Sequence, residues 1–221
     1  MKNKKIAIAF FALIAAAVVG AALYWAYSSG RKAGVGSKVL NGNYKVPANG
    51  PENRGSAART AESDGPYVGD DFEFIPPQGW IRTEIPSTLV AYRNQEEKHE
   101  IGSAADKINF KSYFAVSFDS SKGQSIDQIM DLVKLQTSSV APSIIFGPVT
   151  EKVVNGMPMK TVEADLVMQD TDFKVLMAVI LNGSKYYTVS FNTTAAKWGE
   201  YRDVFYGVLD SFNASRLEAD L

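Results

Sequence analysis

An uncharged run of 22 residues, Ile6 to Tyr27, constrains this chain before anything else. At about 1.5 Å rise per residue such a run makes a helix of roughly 33 Å, enough to cross the hydrocarbon core of a bilayer. Lys2, Lys4 and Lys5 precede it, and Tyr24, Trp25 and Tyr27 close it. That is the order of basic flank, apolar span and aromatic belt in a single-pass anchor. Residues 6–27 are therefore expected to form a transmembrane helix that presents Ile6, Phe10, Leu13, Val18, Leu23 and Trp25 to lipid. Gly20, Ala21 and Ala22 offer the alternative of a cleaved signal peptide. The lack of a polar region before them, and the aromatics after them, favour retention. Residues 1–5 are a short basic N-terminus of the kind that stays in the cytoplasm. The rest of the chain is expected outside, as a bacterial periplasmic or cell-surface domain.

Charge then narrows the partners. Residues 28–70 carry six Lys/Arg against four Asp/Glu, whereas residues 71–221 carry fourteen against twenty. An acidic domain repels phosphate backbones, so nucleic acid is not an expected partner; the membrane is, through the N-terminal helix. Residues 28–70 hold eight of the seventeen glycines and only isolated large apolar residues such as Leu40, Tyr44 and Val46. Such a stretch cannot bury enough surface to fold, and reads as a tether of roughly 35 to 40 Å end to end.

Periodicity places the domain at residues 71–221. Phe72 and Phe74 alternate with Asp71 and Glu73, the period of a strand with one buried face. Pro76-Pro77-Gln78-Gly79 turns the chain, and strands follow from Trp80 to near Pro86 and over Leu89 to Arg93. Asn94 to Lys107 is polar and irregular and reads as a solvated loop. Phe114, Val116 and Phe118 mark a further strand. Ser125 with Gln128 makes a capping box, after which Ile126, Ile129, Met130 and Val133 fall on one helical face.

Four strands come next, near Ile145 to Val154, Met157 to Met168, Phe173 to Leu181 and Lys185 to Phe191. Asn155-Gly156 and Asn182-Gly183 supply residues that accept the positive φ of tight type I′ turns. Phe173 to Leu181 is apolar on both faces and should be central, whereas Thr161, Glu163 and Asp165 suggest one wet face on the strand before it. Trp198, Tyr201, Phe205, Val208 and Phe212 form one stripe of a last helix, capped by Thr193-Thr194, that must lie on the sheet. The expected fold class is α+β, an antiparallel sheet with helices packed on its faces, preceded by the single transmembrane helix.

Over residues 71–212 this order of elements resembles the PsbP/DcrB-like family, the α/β/α sandwich of the photosystem II extrinsic subunit PsbP and the bacterial lipoprotein DcrB. The resemblance is carried by Pro76-Pro77-Gln78-Gly79-Trp80, by Lys185-Tyr186-Tyr187-Thr188-Val189-Ser190-Phe191, and by the final helix ending in Leu209-Asp210-Ser211-Phe212. These are residues of fold, and no functional residue carries over. Membership implies a non-enzymatic binding or accessory role exercised on a protein partner that the resemblance does not identify.

Residue chemistry points the same way. Cysteine is absent, which excludes disulfides, thiolate metal sites, cysteine nucleophiles and a lipidated cysteine. The single histidine, His99, stands among Glu96, Glu97 and Glu100 in the polar loop, where a solvated charged loop explains it better than a Ser-His-Asp arrangement or a zinc cluster. Asp119 to Gly123 has the look of a calcium loop, but Met130 stands where a bidentate Glu belongs. The pairs Glu163 with Asp165 and Asp170 with Asp172 serve solubility and turns more simply than paired acid–base catalysis. No cofactor, metal or catalytic residue is expected. A filled core with an exposed apolar patch would favour a protein-binding or assembly domain, and a cavity near Tyr113 and Tyr186 a small-ligand or lipid carrier.

Overall fold

The computed structural model describes residues 65–214. The basic N-terminus, the anchor with Ile6, Phe10, Leu13, Val18, Leu23 and Trp25, and all of the tether before residue 65 lie outside the described residues. Among those described, no helix is long and apolar enough to cross a membrane. In chain order the strands are β1 (Tyr67–Val68), β2 (Phe72–Phe74), β3 (Ile81–Thr83), β4 (Val90–Arg93), β5 (Tyr113–Ser120), β6 (Ile145–Val154), β7 (Met157–Met168), β8 (Thr171–Asn182), β9 (Lys185–Thr194) and β10 (Asn213–Ala214). The helices are α1 (Ala104–Lys107), α2 (Ile126–Val140) and α3 (Trp198–Ser211).

Seven strands form one antiparallel sheet in the order β3-β4-β5-β9-β8-β7-β6. The crossover from β5 through α2 to β6 carries the chain to the far edge, and the meander β6 to β9 returns to pair with β5. Alternation then sorts side chains to two faces. Phe114, Val116, Leu176, Ala178, Ile180, Tyr187, Val189 and Phe191 point to one face, where α3 and the small sheet β1-β2-β10 cover them. Val162, Ala164, Phe173, Val175, Met177 and Val179 point to the other, under Ile129, Met130 and Val133 of α2. β8 is buried on both faces, as its two-sided apolar sequence requires. The aromatic side of the core is dense: Phe74, Phe212, Phe72, Tyr187 and Phe114 stack or meet edge-on within 6.4 Å.

Local signals formed where they were strongest. The Ser125 hydroxyl accepts from Gln128 N while Gln128 Oε1 accepts from Ser125 N, closing the capping box. Asn155 and Gly156 both have positive φ, 46° and 83°, as a type I′ turn demands. Gly79 at φ 74° lets Trp80 N reach Pro77 O and fold the indole into the core.

Long-range pairing overrode several other expectations. β1 falls within the stretch whose composition reads as tether: Tyr67 pairs with Phe74 and its ring stacks on that phenyl, so order begins before Asp71. The second hairpin turns on Gly183 and Ser184 rather than Asn182 and Gly183, because Asn182 still pairs with Lys185; only Gly183 has positive φ, the type II′ pattern. Thr193 and Thr194 do not cap α3. They extend β9 against Lys174 and Phe173, and a 3-10 turn, Ala195–Lys197, intervenes before the helix. Trp198 is therefore only partly buried, while Tyr201, Phe205, Val208 and Leu209 face the core. Thr161 is buried rather than wet, with its hydroxyl 2.7 Å from that of Thr150 on the edge strand. Phe118 is 45% exposed because β5 runs past the covered part of the sheet.

Candidate functional site

The segment between β4 and β5 is the first surprise. Polar composition makes it a solvated loop, yet Glu97 is 3% exposed and the His99 side chain only 7%. Partners from distant strands explain this: the Glu97 carboxylate accepts from Ser112 N and, at 2.9 Å, from the Ser112 hydroxyl. Thr193 of β9 lies 2.8 Å from that hydroxyl. His99 Nε2 donates to Phe110 O at 3.0 Å and stands 3.9 Å from Glu97 Oε1. The segment also contains α1, capped by Ser103. Asn94 donates to the Tyr201 hydroxyl at 2.9 Å, tying the segment to α3; burial, with Glu97 nearby, pushes that phenol well up. A buried carboxylate with its lone pairs satisfied is a clasp. No hydrolytic triad is assembled, because the Ser112 hydroxyl is committed to Glu97 and Thr193 rather than to an imidazole.

The α2-facing side of β4, β5 and β9 is different, since its polar groups are not satisfied. In register across these strands lie Arg93, Tyr113 and Asn192; then Ala91, Ala115 and Ser190; then Ser117 and Thr188. Asn192 donates to Ser190 at 3.1 Å. Arg93 Nε, the Tyr113 hydroxyl, the Thr188 hydroxyl and Gln136 Nε2 are buried without any hydrogen-bond partner. Burial alone pushes the Tyr113 phenol strongly up, so it is a neutral donor. Arg93 takes part in none of the ion pairs among the described residues.

A third feature is the sheet edge. β6 is ten residues long, pairs on one side only, and exposes Ile145 (69%), Val149 and Val153 (68%). A bulge between Phe146 and Val149 interrupts its register with β7. Val167 of β7 and Leu135 of α2 are also exposed.

The remaining candidates separate. Glu163 accepts from Arg202 Nε and from the Tyr206 hydroxyl, each at 3.2 Å, whereas Asp165 pairs with Lys174 at 2.9 Å, so the two carboxylates do not act together. Gln169 and Asp170 form the β7–β8 turn with φ of 50° and 58°, and Asp172 opens β8. Asp119 Oδ1 accepts from Ser120 N at 2.7 Å. Among the described residues no three His, Asp or Glu side chains gather as a metal site, including His99, Glu96 and Glu100. Sequence patterns pointed to Tyr113 but not to Arg93, Gln136 or Thr188, whose isolation from partners exists only in three dimensions.

Fold and faces together define an antiparallel α+β sandwich with a helix on one side and a helix plus a small sheet on the other. The PsbP family model matches residues 65–214, and the chain belongs to that family. The solution structure of cyanobacterial PsbP (CyanoP) from Synechocystis sp. PCC 6803 is similar at TM-score 0.53 and 18% identity, covering 76% of this chain and 99% of that one. LpqN of Mycobacterium tuberculosis, described as involved in cell envelope biogenesis, is similar at TM-score 0.51 and 7% identity, covering 68% of this chain and 90% of that one. Identities this low establish a common fold. No curated protein sequence matches the chain.

Proposed function

We propose that this chain is a membrane-tethered, extracytoplasmic, non-enzymatic binding or assembly-factor domain that acts through protein–protein contacts. The observation that carries this is the open edge strand β6, which offers unpaired backbone groups and the exposed Ile145, Val149 and Val153 to an extended partner segment. Strand addition of this kind takes affinity from main-chain hydrogen bonds and specificity from alternate side chains. The partly irregular register near Pro148 and the charged Glu151 and Lys152 limit promiscuous pairing of the same edge. The apolar run 6–27 supplies the anchor and residues 28–70 the tether, so the domain works near the membrane that holds it.

A photo-crosslinking amino acid at Val149 or Val153, followed by purification from solubilised membranes, is expected to give discrete adducts. The same group at Glu200, on exposed α3 surface, should give none. Identical patterns at all three positions would remove β6 as the contact. A second reading, a small-ligand carrier, is favoured by the four unpartnered donors on the α2 side.

A further inference from the structure

We infer that the α2-facing side of β4, β5 and β9 binds a small organic carboxylate bearing further oxygen acceptors, with Arg93 and Tyr113 holding the carboxylate and Gln136 and Thr188 its other oxygens. The site rests on the carrier reading and is independent of the β6 contact. Arg93 and Tyr113 are direct cross-strand neighbours, and Ala91 and Val90 show which way each points: Val90 and Tyr92 join the α3-side core, so Ala91 and Arg93 face α2. Ala91, Ala115 and Ser190 then form a floor of small side chains beside them. Thr188 lies four residues along β9 from Asn192, about 14 Å at the usual strand rise.

Gln136 closes the trough from above. Thr137 reaches Met177 Sδ at 3.6 Å, and Met177 is the cross-strand neighbour of Ser190. Lys134, over the Phe146 ring of β6, marks the outer flank of α2. Two residues on, at about 100° each, Gln136 stands on the opposite flank, toward β9. Ile85, Ile108 and Phe110 pack into the same cluster and roof the floor.

Ligand chemistry follows from what is missing. The four unpartnered atoms are all donors, so the absent partner is an acceptor. Arg93 is a fixed charge with a planar fork that matches a carboxylate, and a half-buried guanidinium without a counter-charge is costly. Water could satisfy the hydroxyls but would leave that charge uncompensated. A fatty carboxylate would satisfy Arg93 while burying Thr188 and Gln136 against methylenes, leaving both unpaired. A polyhydroxylated or keto acid of about six carbons spans the trough and meets all four.

The test uses the full chain, labelled with ¹⁵N and held in non-ionic detergent, titrated with gluconate and, separately, with hexanoate. Gluconate is expected to shift the Arg93 Nε–Hε and Gln136 side-chain amide resonances, and to bind at least about tenfold more tightly than hexanoate. Tyr113→Phe should weaken gluconate binding by about tenfold or more and leave the melting temperature unchanged or raised, since it deletes an unpartnered hydroxyl. Arg93→Gln should abolish the shifts while Glu163→Gln leaves them. Tighter binding of hexanoate would keep a carrier and overturn the oxygen-acceptor class. Silence of both resonances with both acids, or Tyr113→Phe that loses stability and keeps binding, would overturn the site.

Discussion

Phe205→Ala asks which side chain locks α3 to the sheet. Phe205 is fully buried, and four rings enclose it: Phe191 at 4.7 Å, Trp80 edge-on at 5.9 Å, Tyr201 at 5.9 Å and Trp198 at 6.1 Å. Removing it forfeits its transfer free energy and leaves a void that four stiff rings cannot collapse into. The expected loss is about 3 to 5 kcal/mol, toward the upper end because aromatic pairs add roughly 0.5 to 1.5 kcal/mol beyond their area. For a domain of this size that lowers the melting temperature by about 6 to 20 °C.

Trp198 is the control within the stripe. Sequence spacing ranks it with Phe205, but it is only partly buried at the first residue of α3, with Lys174 Nζ 6.0 Å from its ring centroid. Trp198→Ala should cost roughly 1 to 3 kcal/mol. Glu200 is exposed; Lys197, bonded at 2.6 Å, holds its carboxyl below the usual range, and Glu200→Ala should change stability by less than about 0.5 kcal/mol. Urea melts of the three variants, compared at constant m-value, measure the ranking. A Trp198→Ala loss equal to or above that of Phe205→Ala would refute the packing argument and turn this helix into a docking face.

Other outcomes are equally concrete. Gln169→Asn combined with Asp170→Gly should raise stability by about 1 kcal/mol, since both positions hold positive φ that the native residues tolerate poorly; an unchanged urea midpoint would count against it. Glu97→Ala should destabilise by about 1 to 3 kcal/mol, because Ser112 N is left buried without an acceptor, and hydrogen exchange should rise at Ser112 while β7 stays protected. Burial, with Asp119 nearby, pushes the Tyr186 phenol from 10.0 up to about 12, so its contribution to stability is whole below pH 10 and is lost as the pH rises toward 12. Tyr186→Phe should make denaturation midpoints fall less steeply over that window, and an identical slope would exclude Tyr186 as a cause. Protease added to spheroplasts should release the domain by cutting between residues 28 and 64, and complete protection would place it on the other side of the membrane.

Elements that depend on neighbours in the chain were legible. The α2 capping box, the Asn155-Gly156 turn, the two-sided burial of β8 and the inward stripe of α3 each follow from spacings of four residues or fewer, where backbone geometry leaves little choice. The sequence of elements was enough to suggest the family.

Tertiary structure decided the rest, and for one reason: the deciding partner lies far along the chain. Thr193 and Thr194 extend a strand rather than cap a helix because β8 offers them a ladder. Glu97 and His99 are buried because Ser112 and Phe110 come to meet them, with Thr193 behind Ser112. Arg93, Tyr113, Gln136 and Thr188 share no spacing at all. They come from β4, β5, α2 and β9, and only the register of an assembled sheet places four donors around one floor of small side chains and withholds from each the acceptor it lacks.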